Sequence, residues 1–188
     1  FPDGEDFKII AHAWMPEATV KKRQERDSLP YRQWAKEGIL TIIDGDTIDH
    51  KAIFAWLMDF KNHYNLREIP FDRWNIGNLV NDLQDEGFTM IEFSQALSNM
   101  TFATKEIMSL TLQKRLHHGG HPILRWNMDN VMVKMDANEN IKPLKNKSTD
   151  RIDLVTALVM ALDRALRHEP ERKSIYEEEG IAWLKSPF

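Results

Sequence analysis

Asp72 and Asp153 are the acidic residues of this sequence whose positions favour chemistry. Asp72 follows a short apolar run and is predicted to end a strand, and ligands of α/β sheets collect at the carboxyl ends of strands. Asp153 lies in the first turn of a long apolar helix. Carboxylates from separate elements can hold two cations about 3.5–4 Å apart, which clamp the attacking and leaving oxygens of a phosphodiester. Such hard oxygen ligands favour Mg²⁺ or Mn²⁺.

Each aspartate also has a plainer interpretation. A carboxylate in a first helical turn is stabilised by free backbone N–H groups and the helix dipole, by about 0.3–1 kcal/mol. Asp153 taken alone is therefore a first-turn acid, and a domain whose aspartates only cap helices is one alternative. The residues by themselves allow a two-metal site without deciding it.

Four cations come shortly before Asp153 in the sequence. A solvated loop explains a basic stretch of this kind, and contacts to phosphates beside a metal site are the alternative interpretation. The four cations are Lys142, Lys145, Lys147 and Arg151.

Two further clusters suggest metals but have the wrong spacing. The acids between Asp44 and Asp49 surround a glycine turn, yet they lack the alternate ligands and the twelfth-position glutamate of a calcium loop. Asp49 is instead predicted to cap the next helix. His117, His118 and His121 are interrupted by two glycines, so we predict a turn rather than a zinc site. Since the chain has no cysteine, thiolate ligands, disulfides and cysteine nucleophiles are excluded.

Strands and helices alternate through the middle of the chain. Apolar periodicity and turn residues predict strands at 7–15, 39–43, 67–72 and 89–93. Helices are predicted at 50–64 and 75–86, between the last three strands, and at 101–117. Such alternation implies crossover connections, and therefore a mainly parallel sheet with helices packed on it. Asp72 is then expected at the ligand-binding edge of this sheet.

A hairpin and a helix follow towards the end of the chain. Residues 131–135 and 141–144 alternate around a polar turn and predict a β-hairpin. The helix that begins at Arg151 carries apolar residues three and four apart, which predicts one buried stripe. The stripe consists of Ile152, Val155, Val159, Leu162 and Leu166.

Composition sets broad limits on the class of protein. The 188 residues, 42% of them hydrophobic, suffice for one folded domain, predicted at 1–168 and followed by a charged tail at 169–188. The net charge of −4 disfavours a uniformly basic nucleic-acid coat. No apolar stretch approaches the roughly 20 residues of a membrane span, and no signal peptide is visible, so we expect a soluble intracellular protein. The first residue, Phe1, suggests a fragment or a processed chain.

Several short motifs occur together in a specific order. In this order the chain resembles the C-terminal nuclease domain of the large terminase subunit of tailed double-stranded-DNA phages, from about Phe7 to Arg167. The motifs are Trp14-Met15-Pro16-Glu17, Arg26-Asp27-Ser28-Leu29-Pro30-Tyr31, Gly45-Asp46-Thr47-Ile48-Asp49, Phe71-Asp72-Arg73-Trp74-Asn75, Leu124-Arg125-Trp126, Asn140-Ile141-Lys142-Pro143 and Arg151-Ile152-Asp153.

This resemblance implies an RNase H-like fold: a mixed sheet flanked by helices, with the β-hairpin before the last core helix. It implies a metal-dependent endonuclease that cuts concatemeric phage DNA during packaging in the host cytoplasm. Double-stranded DNA, the portal, the small terminase subunit and the ATPase domain of the full-length chain are the implied partners, with no membrane involved. Metal-binding aspartates of the family fall on Asp72 and Asp153, which would hold two Mg²⁺ or Mn²⁺ ions. Lys134, with Lys142, Lys145 and Lys147, would lie near the DNA.

The family's first catalytic aspartate lies on an opening strand, which we expect before Phe1. The chain has no Gly-x-x-x-x-Gly-Lys-Ser/Thr loop, so the ATPase domain is also expected outside it. The leading hypothesis is a metal-dependent endonuclease. The alternative is a non-catalytic module that engages DNA or the portal and predicts DNA binding without metal.

Overall fold

The computed structural model describes residues 1–74, 76–144 and 151–168. The strands in these ranges are β1 (Pro2–Asp3), β2 (Asp6–Lys8), β3 (Ala13–Pro16), β4 (Leu40–Ile43), β5 (Ile69–Phe71), β6 (Met90–Glu92), β7 (Leu116–His117), β8 (Val133–Met135) and β9 (Ile141–Pro143). The helices are α1 (Glu17–Asp27), α2 (Tyr31–Lys36), α3 (His50–His63), α4 (Leu79–Asp85), α5 (Leu97–Leu112), α6 (Pro122–Asn130) and α7 (Asp153–Arg167). Lys145, Lys147 and the tail predicted at 169–188 lie outside the described residues.

Helices connect the parallel strand pairs, as the alternation predicts. β3 pairs in parallel with β4 across α1 and α2, and β5 pairs in parallel with β6 across α4. β1, β2 and β7 form a small mixed sheet, while β8 and β9 form an antiparallel hairpin before α7. The predicted α/β class with a mixed sheet, flanking helices and this hairpin is confirmed. Within the described residues the strands form four separate sheets rather than one continuous sheet.

Several predicted elements differ from the structure in their bounds. The helix predicted at 75–86 begins at Leu79, as α4, and the helix predicted from Arg151 begins at Asp153, as α7. The strand predicted at 7–15 is divided into β2 and β3, because its first half pairs with β7 and its second half with β4. The helix predicted at 101–117 runs over α5 instead. It ends earlier because Lys114 adopts a left-handed backbone (φ 58°) and the chain turns into β7.

Local signals for helix ends agree better with the structure. Asp49 caps α3, with its carboxylate accepting a hydrogen bond of 2.9 Å from the backbone N–H of Lys51. Gly38 and Gly87, which follow α2 and α4, have φ angles of 76° and 79°. Side chains with a Cβ rarely adopt this left-handed region, so glycine suits both turns.

α7 is the best-anchored helix near the predicted site. Ile152, Val155, Val159 and Leu162 are all at most 3% exposed, which confirms the predicted stripe, while Leu166 is partly buried. Val159 and Leu162 pack in one core cluster with Phe93 and the buried face of α5. Burying one such aliphatic side chain stabilises the fold by about 1.5–3 kcal/mol. In the described part of the chain, no helix has the length and apolar character to cross a membrane.

Candidate active site

Asp72 and Asp153 line the same groove, which has a volume of about 630 Å³. Its walls are mainly apolar and come from α3, α7, β5 and the segment that leads through Trp14 of β3. Among the described residues, β3 has one hydrogen-bonded neighbour, β4, and β5 has one, β6. The two predicted carboxylates, which come from separate elements, thus line one groove.

The Asp72 carboxylate is held by neutral donors. It follows the last residue of β5, as predicted, and is half-buried. Its Oδ2 accepts a hydrogen bond of 2.7 Å from Nε2 of Gln95, and its Oδ1 accepts one of 3.3 Å from the backbone N–H of Trp74. Each carboxylate oxygen has two lone pairs, so both retain acceptor capacity for a further ligand. The two bonds fix the plane of the carboxylate without neutralising its charge.

Asp153 is the first residue of α7, and its side chain is 54% exposed. Its Oδ2 lies 3.5 Å from Nη1 of Arg151, which forms an ion pair with it. The N-cap residue, Ile152, makes no capping side-chain bond. Asn127 of α6 caps the helix instead, since its Oδ1 accepts a hydrogen bond of 3.0 Å from the backbone N–H of Leu154. The carboxylate is thus half-exposed and paired with a cation, on a backbone that the buried amide of Asn127 holds.

The donor set fits a hard divalent cation in part. Two carboxylates from separate elements meet at one groove, and carboxylate oxygen is the ligand type that Mg²⁺ and Mn²⁺ prefer. Mg²⁺ takes six ligands and usually retains several waters, so two carboxylates supply only a share of its coordination. Within residues 1–74, 76–144 and 151–168, no three His, Cys, Asp or Glu side chains cluster as a metal site.

The predicted DNA-binding cations have different surroundings. Lys134 and Lys142 face each other across the β8–β9 ladder. Lys134 is exposed, whereas Lys142 is half-buried and its Nζ donates a hydrogen bond of 2.8 Å to the carbonyl oxygen of Gln95. Arg151 pairs with Asp153. Lys142 and Arg151 thus each contact a residue of the groove, and the role of all these cations in binding DNA stays a prediction.

His117 ends β7, and the two glycines between His118 and His121 form the predicted turn. His121 caps α6, because its Nδ1 accepts a hydrogen bond of 3.2 Å from the backbone N–H of Leu124. Its Nε2 lies 3.0 Å from the carbonyl oxygen of Ala11. Burial lowers the pKa of His121, which favours the neutral ring that this cap requires.

Sequence reasoning missed Gln95 and Asn127. Gln95 had a usable signal: it follows β6 closely, and β6 ends beside β5, with Glu92 opposite Phe71. Residues after neighbouring parallel strands lie at one sheet edge. Asn127 had no such signal, because its partner lies on another helix. Trp74 was also missed; its side chain is 69% exposed beside Asp72, and the Arg73 guanidinium lies 4.9 Å from its ring.

A comparison with protein families adds to this geometry. The family model for the endonuclease domain of the terminase large subunit matches residues 1–169. The chain belongs to this family. It is thus a terminase nuclease domain, and the resemblance drawn from the short motifs is confirmed.

Individual relatives agree with the family. The chain is 33% identical over 161 residues to the terminase large subunit of Enterobacteria phage HK97, covering 85% of the chain and 32% of that protein. It is 30% identical over 171 residues to protein YmfN of Escherichia coli (strain K12), covering 88% of the chain and 38% of YmfN. This terminase nuclease domain therefore spans about a third of the length of the relatives that it matches.

A solved structure supports the fold. The crystal structure of the HK97 bacteriophage large terminase superposes with a TM-score of 0.73 at 33% identity, over 80% of the chain and 32% of that protein. The α/β architecture of the terminase nuclease domain is thereby shown. RNase H-like topology in the stricter sense stays a prediction.

Proposed function

We propose that this terminase nuclease domain is a metal-dependent endonuclease that cuts concatemeric double-stranded phage DNA during genome packaging. Asp72 and Asp153 are its proposed metal ligands and catalytic residues. The observation that carries the proposal is that both carboxylates line one groove, one from the end of β5 and one from the start of α7. Convergence of acids from separate elements is what a site for phosphodiester hydrolysis requires.

The chain's own side chains would divide the work. A pair of Mg²⁺ or Mn²⁺ ions, when bound, supplies charge stabilisation and a more acidic water for attack on the phosphodiester. Asp72 and Asp153 hold those ions. The apolar walls around Trp56 and Leu57 limit water in the groove, which strengthens electrostatic interactions there. The domain thereby combines fixed charge with a sheltered surface.

Cations of the hairpin and of the segment between the hairpin and α7 would position the duplex. Contacts from lysine and arginine to phosphates fix DNA without reading its sequence. We assign this role to Lys134, Lys142, Lys145, Lys147 and Arg151. Replacing Lys145 and Lys147 with alanine should weaken binding to all sequences alike and lower the salt slope by about one per lost phosphate contact. An unchanged slope would reject the assignment.

The longer protein would supply the rest of the packaging machinery. Since the chain spans about a third of its relatives, its proposed partners include the ATPase domain, the portal and the small terminase subunit. We place this assembly in the host cytoplasm. We expect a further metal-binding acid on a segment before Phe1, and its position beside the groove would complete the ligand set.

A plasmid-nicking assay with Mn²⁺ tests the proposal on the full-length protein. Asp72→Ala and Asp153→Ala should each lower the cleavage rate by more than about 100-fold, since even residues that only support ligands affect activity 10- to 100-fold. Asp46→Ala is the matched control, because Asp46 is an exposed acid in the turn before α3. If the wild type cuts and neither variant is slower than the control, the site assignment is wrong. Binding to DNA without any cleavage would favour the non-catalytic module instead.

A further inference from the structure

The loop after β6 contacts the Asp72 carboxylate directly. We propose that Gln95 is a positioning residue for Asp72, and that Lys142 of the hairpin holds Gln95 in place. The inference rests on the proposed function, because positioning is useful only if Asp72 binds the metal. It assigns to the hairpin a second task besides contact with DNA.

The side chain of Gln95 reaches Asp72 from the neighbouring strand's end. Its Nε2 donates to Oδ2 of Asp72 at 2.7 Å, and the same nitrogen lies 4.0 Å from Sδ of Met160 on α7. Met160 is 6% exposed and belongs to the main core cluster. The amide is therefore confined between the strand-end carboxylate and the helix that begins with Asp153.

A neutral donor is well suited to this task. An amide N–H occupies one lone pair of the carboxylate and fixes its orientation, while the full negative charge remains for a cation. A lysine or arginine in the same place would compete with the metal for that charge. Hydrogen bonds of this kind orient metal ligands, and their loss typically costs 10- to 100-fold in metal affinity or activity.

Lys142 holds the main chain of Gln95. Its Nζ donates to the Gln95 carbonyl oxygen at 2.8 Å, over a separation of 47 residues. Its neighbours Ile141 and Pro143 are buried, and β9 packs on α5, so the base of the lysine is well anchored. An ammonium has three N–H donors, so this bond leaves capacity for a phosphate. Contact with DNA at the hairpin is thereby linked to the position of Asp72.

The role of Gln95 is tested by titrating the protein with Mn²⁺ in the absence of DNA, with binding measured by electron paramagnetic resonance. In the full-length protein, Gln95→Met removes the donor at similar volume and should raise the Kd for Mn²⁺ about 10-fold or more. Gln33→Met is the matched control, since Gln33 is an exposed glutamine on α2 that bonds only locally to Glu37. In cleavage assays Gln95→Met should lower kcat and leave the KM for DNA unchanged. If Gln95→Met does not fold, Gln95→Asn, one methylene too short to reach Asp72, carries the same expectation.

A pair of lysines separates positioning from contact with DNA. Lys142→Met should raise the Kd for Mn²⁺ without DNA, whereas Lys134→Met, its partner across the ladder, should leave that Kd unchanged. Both should weaken binding to DNA. Equal Mn²⁺ affinity in the two variants would remove Lys142 from the proposal.

The variant Asp72→Ala distinguishes a failure of the positioning role of Gln95 from a failure of the assignment on which that role rests. If Asp72→Ala loses Mn²⁺ binding while the Gln95 variants keep wild-type affinity and kcat, the positioning role is overturned and the proposed function stands. If Asp72→Ala itself binds Mn²⁺ and cuts DNA like the wild type, Asp72 is not a metal ligand, and the positioning role of Gln95 fails with that assignment. A wild-type protein that neither binds Mn²⁺ nor cuts DNA would overturn the proposed function itself.

Discussion

Asp72 and Asp153 are the same residue type at one groove, yet the structure holds them in opposite ways. Asp72 is half-buried at a strand end and accepts hydrogen bonds from two neutral donors, at 2.7 and 3.3 Å. Asp153 is more exposed, at the start of a helix, and it forms an ion pair with the cation Arg151 at 3.5 Å. Neutral donors orient one carboxylate at a strand end, whereas the other pairs with a neighbouring cation at the start of a helix.

The difference indicates how a metal site can be built from unequal parts. In the proposed metal site, Asp72 would lose little freedom on binding a cation, while Asp153 would exchange its arginine for the metal. An exposed ion pair is weak, so this exchange costs little. With Asp72 already oriented and Asp153 able to change its partner, the groove would admit metal and DNA together.

The largest effect on stability is expected in the hydrophobic core that anchors α7, the helix that begins with Asp153. Leu162 is 3% exposed in the cluster that holds α7, so Leu162→Ala should lower the free energy of unfolding by about 2–5 kcal/mol. Leu112→Ala is the control, because Leu112 is 84% exposed, and it should change stability by less than about 0.5 kcal/mol. Urea unfolding measures both. Similar small losses in the two variants would show that α7 does not depend on its buried stripe.

The next largest effect on stability is expected at Glu68, whose ion pairs with Arg164 and His168 connect the start of β5 to the end of α7. We call these contacts the Glu68 clamp. Glu68 is the residue directly before β5. One carboxylate oxygen accepts a hydrogen bond of 2.6 Å from Nε of Arg164 on α7, and the other lies 2.6 Å from Nε2 of His168. The Glu68 side chain is 12% exposed. Glu68→Gln should lower the free energy of unfolding at neutral pH by about 1.5–3 kcal/mol, the usual range for hydrogen bonds to charged groups.

The clamp also predicts a pH dependence. The hydrogen bond from Arg164, followed by that from His168, lowers the pKa of Glu68 below its ordinary value of 4.5. The folded state therefore binds fewer protons than the unfolded state, so the stabilisation is present above the unfolded pKa and is lost as pH falls through the folded one. The difference in free energy of unfolding between the wild type and Glu68→Gln should therefore become smaller below about pH 4.5. A difference that stays constant as the pH falls would contradict this account. So would a difference no larger than the one that Glu86→Gln causes at an exposed glutamate.

The sequence predicted the positions of the two aspartates better than the hydrogen bonds that hold their surroundings in place. The position of Asp72 followed from an apolar run before it, and that of Asp153 from a stripe with helical spacing; both are local patterns. Asn127 caps α7 across 27 residues, and Lys142 reaches Gln95 across 47. Such bonds depend on tertiary packing, which periodicity does not contain. The division of the strand predicted at 7–15 has the same cause, since its two halves pair with different strands.

The smallest effect is expected at Arg151, and it bears on the comparison most directly. If Asp153 must release Arg151 to bind a cation, Arg151→Gln should strengthen Mn²⁺ binding about 2- to 5-fold at low ionic strength, with the gain fading in salt because exposed pairs are screened. Binding to DNA should weaken in the same variant, since a phosphate contact is lost. Arg32→Gln breaks another exposed ion pair, with Glu17, and should change neither affinity. Weaker Mn²⁺ binding in Arg151→Gln would mean that the arginine orients Asp153 rather than competing for it, and the two carboxylates would then both be oriented in advance.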